Sequence, residues 1–194
     1  MPVAASPVSD PTPLRFTVSD YHRMAEAGVL GTDRRIQLID GHLFEMSPIG
    51  SRHAACVDRL NRLFVRAVDD RAIVRIQSPI LLPPDSEPEP DVTLLKPRGD
   101  DYASRHPRSE DVLLVVEVAD SSLTFDQEVK VPLYARAGIP EVWIVALDAD
   151  RVYTYQHPSG NEYSTRHTYT IEASLPMPRA TEAAPVSVSK ILGS

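Results

Sequence analysis

The sequence holds a single cysteine, Cys56, so no intramolecular disulfide can form, and a reducing, cytoplasmic interior suits it. Long apolar runs are missing too. The best stretches, 112–116 and 142–147, fall far short of the roughly 20 residues that cross a membrane, so no membrane partner is expected. Residues 1–13 lack a basic patch followed by an apolar stretch, and no secretory signal is expected there. Also missing are a cysteine–histidine metal spacing, a glycine-rich phosphate loop and a Gly-x-Ser-x-Gly elbow. Zinc, nucleoside-triphosphate and serine-hydrolase chemistry therefore have no motif behind them. Positive charge is scarce, with 20 Lys and Arg against 27 Asp and Glu, net −7. That balance counts against broad, nonspecific binding to nucleic acid, which rests on basic side chains meeting phosphates. A local basic groove, or a site where metal ions supply the positive charge, stays open.

What is present suffices for one core. The chain has 194 residues, 42% of them hydrophobic, which suits a single globular domain. Residues 1–13, rich in proline, are expected to be a flexible tail. Residues 14–175 form the expected domain. Residues 176–194 are expected to be a second tail, with a weak strand at 185–191.

Inside these limits the pattern alternates between helix and strand. Thr17 with Asp20 resembles an N-terminal cap and Gly28 a C-terminal stop, which predicts a short helix. Residues 35–39 and 42–47 flank Asp40-Gly41, whose positive φ angles suit a tight hairpin. Residues 51 to about 70 place Ala55, Leu60, Leu63, Phe64 and Ala67 at helical spacing. Strands are predicted at 73–77 and 92–95, separated by a proline-rich loop at 83–90. Residues 112–118 are almost wholly apolar and β-branched, so both faces of that strand should be covered. A helix at 125–137 must hold Pro132 in its first turns or kink there. Residues 141–147 predict another buried strand, and 151–156 with 162–170 a hairpin across Pro158-Ser159-Gly160. The fold class is α/β (mixed α+β), a mixed central β-sheet flanked by helices.

Glu117 stands near the end of the most apolar strand. A carboxylate there must be paired, protonated, metal-bound or at a water-filled edge; equally, it could simply emerge into solvent. Asp91 begins the short strand 92–95. Lys130 lies on the next helix, four residues after Asp126 and four before Tyr134, and alone reads as half of a routine surface ion pair. Together the three suggest more. Two carboxylates on neighbouring strands can bind a hard divalent cation. A lysine beside it can orient water and stabilise charge on a phosphoryl group.

The runs Ile36-Gln-Leu-Ile-Asp-Gly41, Pro88-Glu-Pro-Asp-Val92, Leu114-Val-Val-Glu-Val-Ala-Asp-Ser-Ser122, Asp126-Gln-Glu-Val-Lys130 and 134–145 resemble a large bacterial family named for restriction endonucleases. It is abundant in cyanobacteria and belongs to the PD-(D/E)XK nuclease superfamily. The resemblance covers roughly residues 14–172. It implies a restriction endonuclease-like core and a magnesium- or manganese-dependent DNA endonuclease, plausibly a homodimer. It makes Asp91 and Glu117 catalytic metal ligands, with the Val118 carbonyl as a further ligand. The superfamily's usual lysine is absent at Ala119, and Lys130 matches the position to which it has migrated in similar members. Where the family usually has glutamate in the first hairpin strand, this chain has Gln37, an uncharged ligand at best. Glu45 on the partner strand compensates only if it faces the same side.

Other positions carry two readings each. His53 opens the long helix as a phosphate or leaving-group contact, or as a capping residue. Gln77 points to the site or ties strands together. Asp120 and Ser121 support the site or only fix their loop. Arg59, Arg62 and Arg66 share a helix face that suits a nucleic-acid backbone or plain solvent. Tyr134, Trp143 and Tyr153 are expected in the core, and Cys56 is expected to be buried and inert. Two rivals to an endonuclease stay open: a nucleic-acid-binding module that lost catalysis, and a structural or interaction protein whose acids and lysine form a salt-bridge network.

Overall fold

The computed structural model describes residues 12–31 and 33–193; residues 1–11, most of the expected N-terminal tail, lie outside the described residues. Helix α1 (Val18–Glu26) starts at a full capping box in which Thr17 and Asp20 each bond the other's backbone N–H. Strands β1 (Ile36–Ile39) and β2 (His42–Glu45) pair across Asp40 and Gly41, both at positive φ, as the Asp-Gly sequence requires. They form a separate two-stranded sheet. Leu38 joins it to the proline-rich loop, where the Glu87 N–H donates to the Leu38 carbonyl at 2.7 Å.

The main sheet runs β3 (Ile73–Ile76), β4 (Val92–Leu95), β5 (Val112–Ala119), β6 (Glu141–Ala146), β7 (Arg151–Ser159) and β8 (Glu162–Tyr169), in that spatial order. Only β5 and β6 pair in parallel. Both are buried along their whole length, which accounts for their unbroken apolar sequence. One face is covered by α2 (Ser51–Val68), through Cys56, Val57, Leu60, Phe64 and Val68. The other is covered by a composite helix, by Ile39 and Phe44 of the hairpin, and by Ile80 and Leu82 just before the proline-rich loop. That helix is α3 (Leu123–Phe125), a π turn (Asp126–Lys130) and α4 (Val131–Arg136). Pro132 sits at the start of α4 and has no N–H to offer the preceding turn. The turn before it is widened, the Val131 N–H reaching back to the Asp126 carbonyl.

Two expectations change. The last hairpin turns at Gly160-Asn161, with Pro158 still paired to Tyr163 inside the ladder. The C-terminal segment is not loose. The weak strand read at 185–191 is present only at its start, as β10 (Val186–Ser187) paired with β9 (Ser174–Leu175), and the rest of that range is helix α5 (Val188–Leu192). Leu175, Met177, Val186, Val188 and Ile191 join the α2 layer of the core. Arg59, one of the three arginines of α2, serves this packing: its Nε donates to the Ile191 carbonyl and its Nη2 to the Leu192 carbonyl, both at 2.8 Å. Arg62 and Arg66 remain exposed. Cys56 lies under α5, and burial pushes its thiol up to about 11, so it stays protonated and unreactive.

Ile191→Ala is therefore expected to cost about 2–5 kcal/mol in urea unfolding, as for a fully buried aliphatic side chain, against under about 0.5 kcal/mol for a residue in an unpacked tail.

Candidate active site

Asp91 and Glu117 meet because of strand register. Val92 pairs with Val116 in the antiparallel β4–β5 ladder, so the residues before and after them stand opposite each other. Along β5, Leu114, Val116 and Val118 pack toward α2, while Glu117 faces the composite helix with Val115 and Ala119. The π turn brings Lys130 to the same place. Asp91, Glu117 and Lys130 line one cleft, with Gln37, His53, Glu89, Val118, Asp120, Ser121, Ser122 and Asp126.

The hydrogen bonds are specific. The Val118 N–H donates to Asp91 Oδ2 at 2.8 Å, and His53 Nε2 lies 3.1 Å from the same oxygen. Gln77, at positive φ, ties its backbone N–H to the Asp91 carbonyl and its amide to Asp91 Oδ1 at 3.4 Å. Burial would raise the Asp91 carboxyl, but the His53 hydrogen bond and charge and the Val118 N–H outweigh it and hold the pKa below its usual value. Its partner His53 is held above the ordinary imidazole value by that same bond.

Glu117 is different. Lys130 Nζ donates to Oε2 at 3.0 Å and the Tyr134 hydroxyl to Oε1 at 2.6 Å. Burial nonetheless pushes this carboxyl up to about 7, with Lys130 pulling it down and the nearby Asp126 and Asp91 charges pushing it further up. Asp126, 3.6 Å from Lys130, is raised as well, first by burial. Lys130 shows the converse balance: burial disfavours its charge, yet Glu117 and Asp126 keep its pKa above the usual value. Glu117, Asp126 and Lys130 are 2%, 2% and 3% exposed, so the Asp126–Lys130 pair is no surface pair.

Gln37 projects from β1 into the cleft. Its amide nitrogen donates to the Glu89 carbonyl at 3.5 Å, and its buried Oε1 has no hydrogen-bond partner among the described residues. Glu45 offers no compensation. It pairs with Ile36 while Gln37 pairs with Phe44, so it occupies the opposite face of the hairpin, beside Arg34. Asp120 and Ser121 sit at the rim. Asp120 is paired with Arg52, which also holds Asp148 and the Leu147 carbonyl and so ties the start of α2 to the strand ends. Trp143 is core, as expected, whereas Tyr153 is partly buried beneath Arg166. The sequence offers Asp126 only as a surface partner of Lys130 and Ser122 only as part of the loop 120–122, and gives no signal for Glu89; Tyr134 is core, as expected, and in addition bonds Glu117. The spacing Asp126–Lys130–Tyr134 was the available signal.

A family model described as "Putative restriction endonuclease" (Uma2) matches residues 18–188. The chain belongs to the Uma2 family. The fold is also that of a crystal structure described as a putative nuclease belonging to DUF820 from Anabaena variabilis. The TM-score is 0.75 at 15% identity, covering 92% of this chain and 98% of that one. No curated protein matches the sequence. The restriction endonuclease-like core expected from the sequence is thus the fold of this Uma2 chain.

No three histidine, cysteine, aspartate or glutamate side chains converge on one ion-sized point among the described residues. A hard cation would find two carboxylates, Asp91 and Glu117, and the unpartnered Gln37 amide oxygen. These are oxygen donors of the right chemistry for magnesium or manganese, with one charge fewer than three acids would supply.

The raised Glu117 carboxyl has a consequence for stability. Its folded pKa lies above its unfolded value, so its contribution is fully present below about pH 4.5 and is lost as pH rises toward 7. Without divalent cations, Glu117→Gln is expected to raise Tm at pH 8 and to leave it little changed at pH 4, as read by thermal denaturation. Equal effects at both pH values would contradict this.

Proposed function

We propose that this Uma2 chain is a metal-dependent endonuclease that hydrolyses phosphodiester bonds in DNA, using magnesium or manganese. One observation carries the reading: three buried carboxylates, Asp91, Glu117 and Asp126, share with a single ammonium the lining of one cleft that also presents an amide oxygen without a partner among the described residues. Such a surplus of buried negative charge calls for a cation.

In this reading Asp91, Glu117 and Gln37 hold the metal, which when bound would polarise a phosphodiester and acidify water. Val118 is assigned two parts, its N–H fixing Asp91 and its carbonyl serving as an added ligand. Lys130 orients the attacking water and stabilises charge that develops on the phosphate oxygens. His53 and Gln77 hold the Asp91 carboxylate in place. Asp120 and Ser121 shape the rim where the nucleic acid enters. A homodimer suits the cutting of both strands of a duplex, and the single cysteine suits a cytoplasmic setting. Gln37 favours a second reading, a nucleic-acid-binding module in which the weaker ligand set has cost catalysis.

Manganese titration followed by plasmid incubation separates the readings. The endonuclease is expected to bind manganese and nick or linearise DNA, and Asp91→Ala and Lys130→Ala should each lower cleavage by about 10²-fold or more. DNA binding without cleavage supports the module, and neither result would leave only a structural salt-bridge network. Manganese affinity should weaken as pH falls below about 7, because Glu117 must lose its proton to become a ligand. Gln37→Glu is expected to tighten manganese binding; unchanged affinity would remove Gln37 from the ligand set.

A further inference from the structure

The Lys130 ammonium faces two buried carboxylates, of which the proposed reaction uses one. Nζ lies 3.0 Å from Glu117 Oε2 and 3.6 Å from Asp126 Oδ1. Glu117 is fixed from its far side by Tyr134, whose hydroxyl donates to Oε1, so Oε2 is the oxygen left to Lys130. Asp126 is fixed from behind as well. The Ser122 hydroxyl donates to its Oδ2 at 2.6 Å, and its own backbone N–H donates to the Ser122 carbonyl at 2.9 Å. Its Oδ1 is thereby held toward Lys130. The π turn places Asp126 and Lys130 on one side of the helix, and both line the cleft.

We propose that Asp126 is a positioning residue: it is the second anion that takes over the Lys130 ammonium when a divalent cation binds Glu117. The inference rests on the metal-dependent reading above. A cation and an ammonium both seek Glu117 Oε2, and like charges cannot share it without cost. An ammonium this deeply buried must keep an anionic partner. Asp126 Oδ1 provides one at a distance that a shift of roughly 1 Å along the flexible lysine stem closes to a hydrogen bond. Lys130 then stays charged and inside the cleft, beside the cation and free of Glu117. Without Asp126, each cation bound at Glu117 strands the ammonium.

The test is a double-mutant cycle on the full chain, read by manganese binding in water-proton relaxation, with Tm measured for each variant. Asp126→Asn is expected to weaken manganese binding by about tenfold in the wild-type background and by less than about twofold in Lys130→Met, where there is no ammonium to relocate. Ser122→Ala, which removes the support of Asp126 without changing charge, should show the same dependence on Lys130 in weaker form, and it serves if Asp126→Asn fails to fold. Equal losses in both backgrounds would show Asp126 acting on the cation directly and would overturn the inference. So would manganese binding that neither Asp126→Asn nor Ser122→Ala alters. A wild-type chain that binds no manganese refutes the metal reading itself, which is a different result.

Discussion

The ion pair between Lys130 and Glu117 is the contact on which the rest of the site depends. It joins the end of the most apolar strand to the helix that covers it, in a place nearly closed to water. A buried pair of this kind seldom adds net stability, because the desolvation of two ions offsets their attraction. Here the balance is worse than for a simple pair. Burial pushes Glu117 up to about 7, and the nearby Asp126 and Asp91 charges add to that rise while Lys130 opposes it. A protein selected only for stability would gain by replacing these groups with aliphatic ones. Their presence is best understood as strain kept for a task.

The fold explains how the strain is contained. Each charged group is gripped by a neighbour with no charge to add: Val118 backbone and Gln77 for Asp91, Tyr134 for Glu117, Ser122 for Asp126. These grips come from different elements, so the site exists only once the sheet, α2 and the composite helix have assembled. The π turn matters in this respect. Pro132 prevents a regular α-helix at that point, and the widened turn sets Asp126 and Lys130 together over the sheet end. A sequence feature that looks like a helix breaker thus positions the only ammonium in the cleft.

Most of the architecture was legible in the sequence because its signals are local. The Asp40-Gly41 turn, the Thr17–Asp20 cap and the unbroken apolar run of β5 each follow from their own residues. The C-terminal segment was not, because three prolines mask a packing role that depends on α2 being there to receive Val188 and Ile191. In the site, Asp91, Glu117 and Lys130 stood out, the first two by position on strands and all three by family resemblance. Asp126 did not, since an Asp and a Lys four apart on a helix ordinarily mark a solvated face. Only burial, a property of the assembled fold, separates the two cases. Glu45 is a different case: the register that pairs it with Ile36, and Gln37 with Phe44, follows from the two-residue Asp40-Gly41 turn, so its opposite face could be counted from the sequence once that turn is accepted.

The net charge of −7 sets a final constraint on any encounter with nucleic acid. A phosphate entering the cleft faces the carboxylates of Asp91, Glu117, Asp126, Glu89 and Asp120 in its lining, against Lys130, Arg35 and His53 as the basic groups. Repulsion from this set is greatest when no cation is present, and Lys130 is then engaged by its own acids. Under the proposed reading, cation and substrate are therefore cooperative in a simple electrostatic sense. Each ion that neutralises the buried acids also lowers the barrier to a phosphate, and each phosphate that arrives strengthens the hold on the ion. The scarcity of basic surface that argues against general nucleic-acid binding is, at this one cleft, consistent with a site that admits a polyanion only when charged with metal.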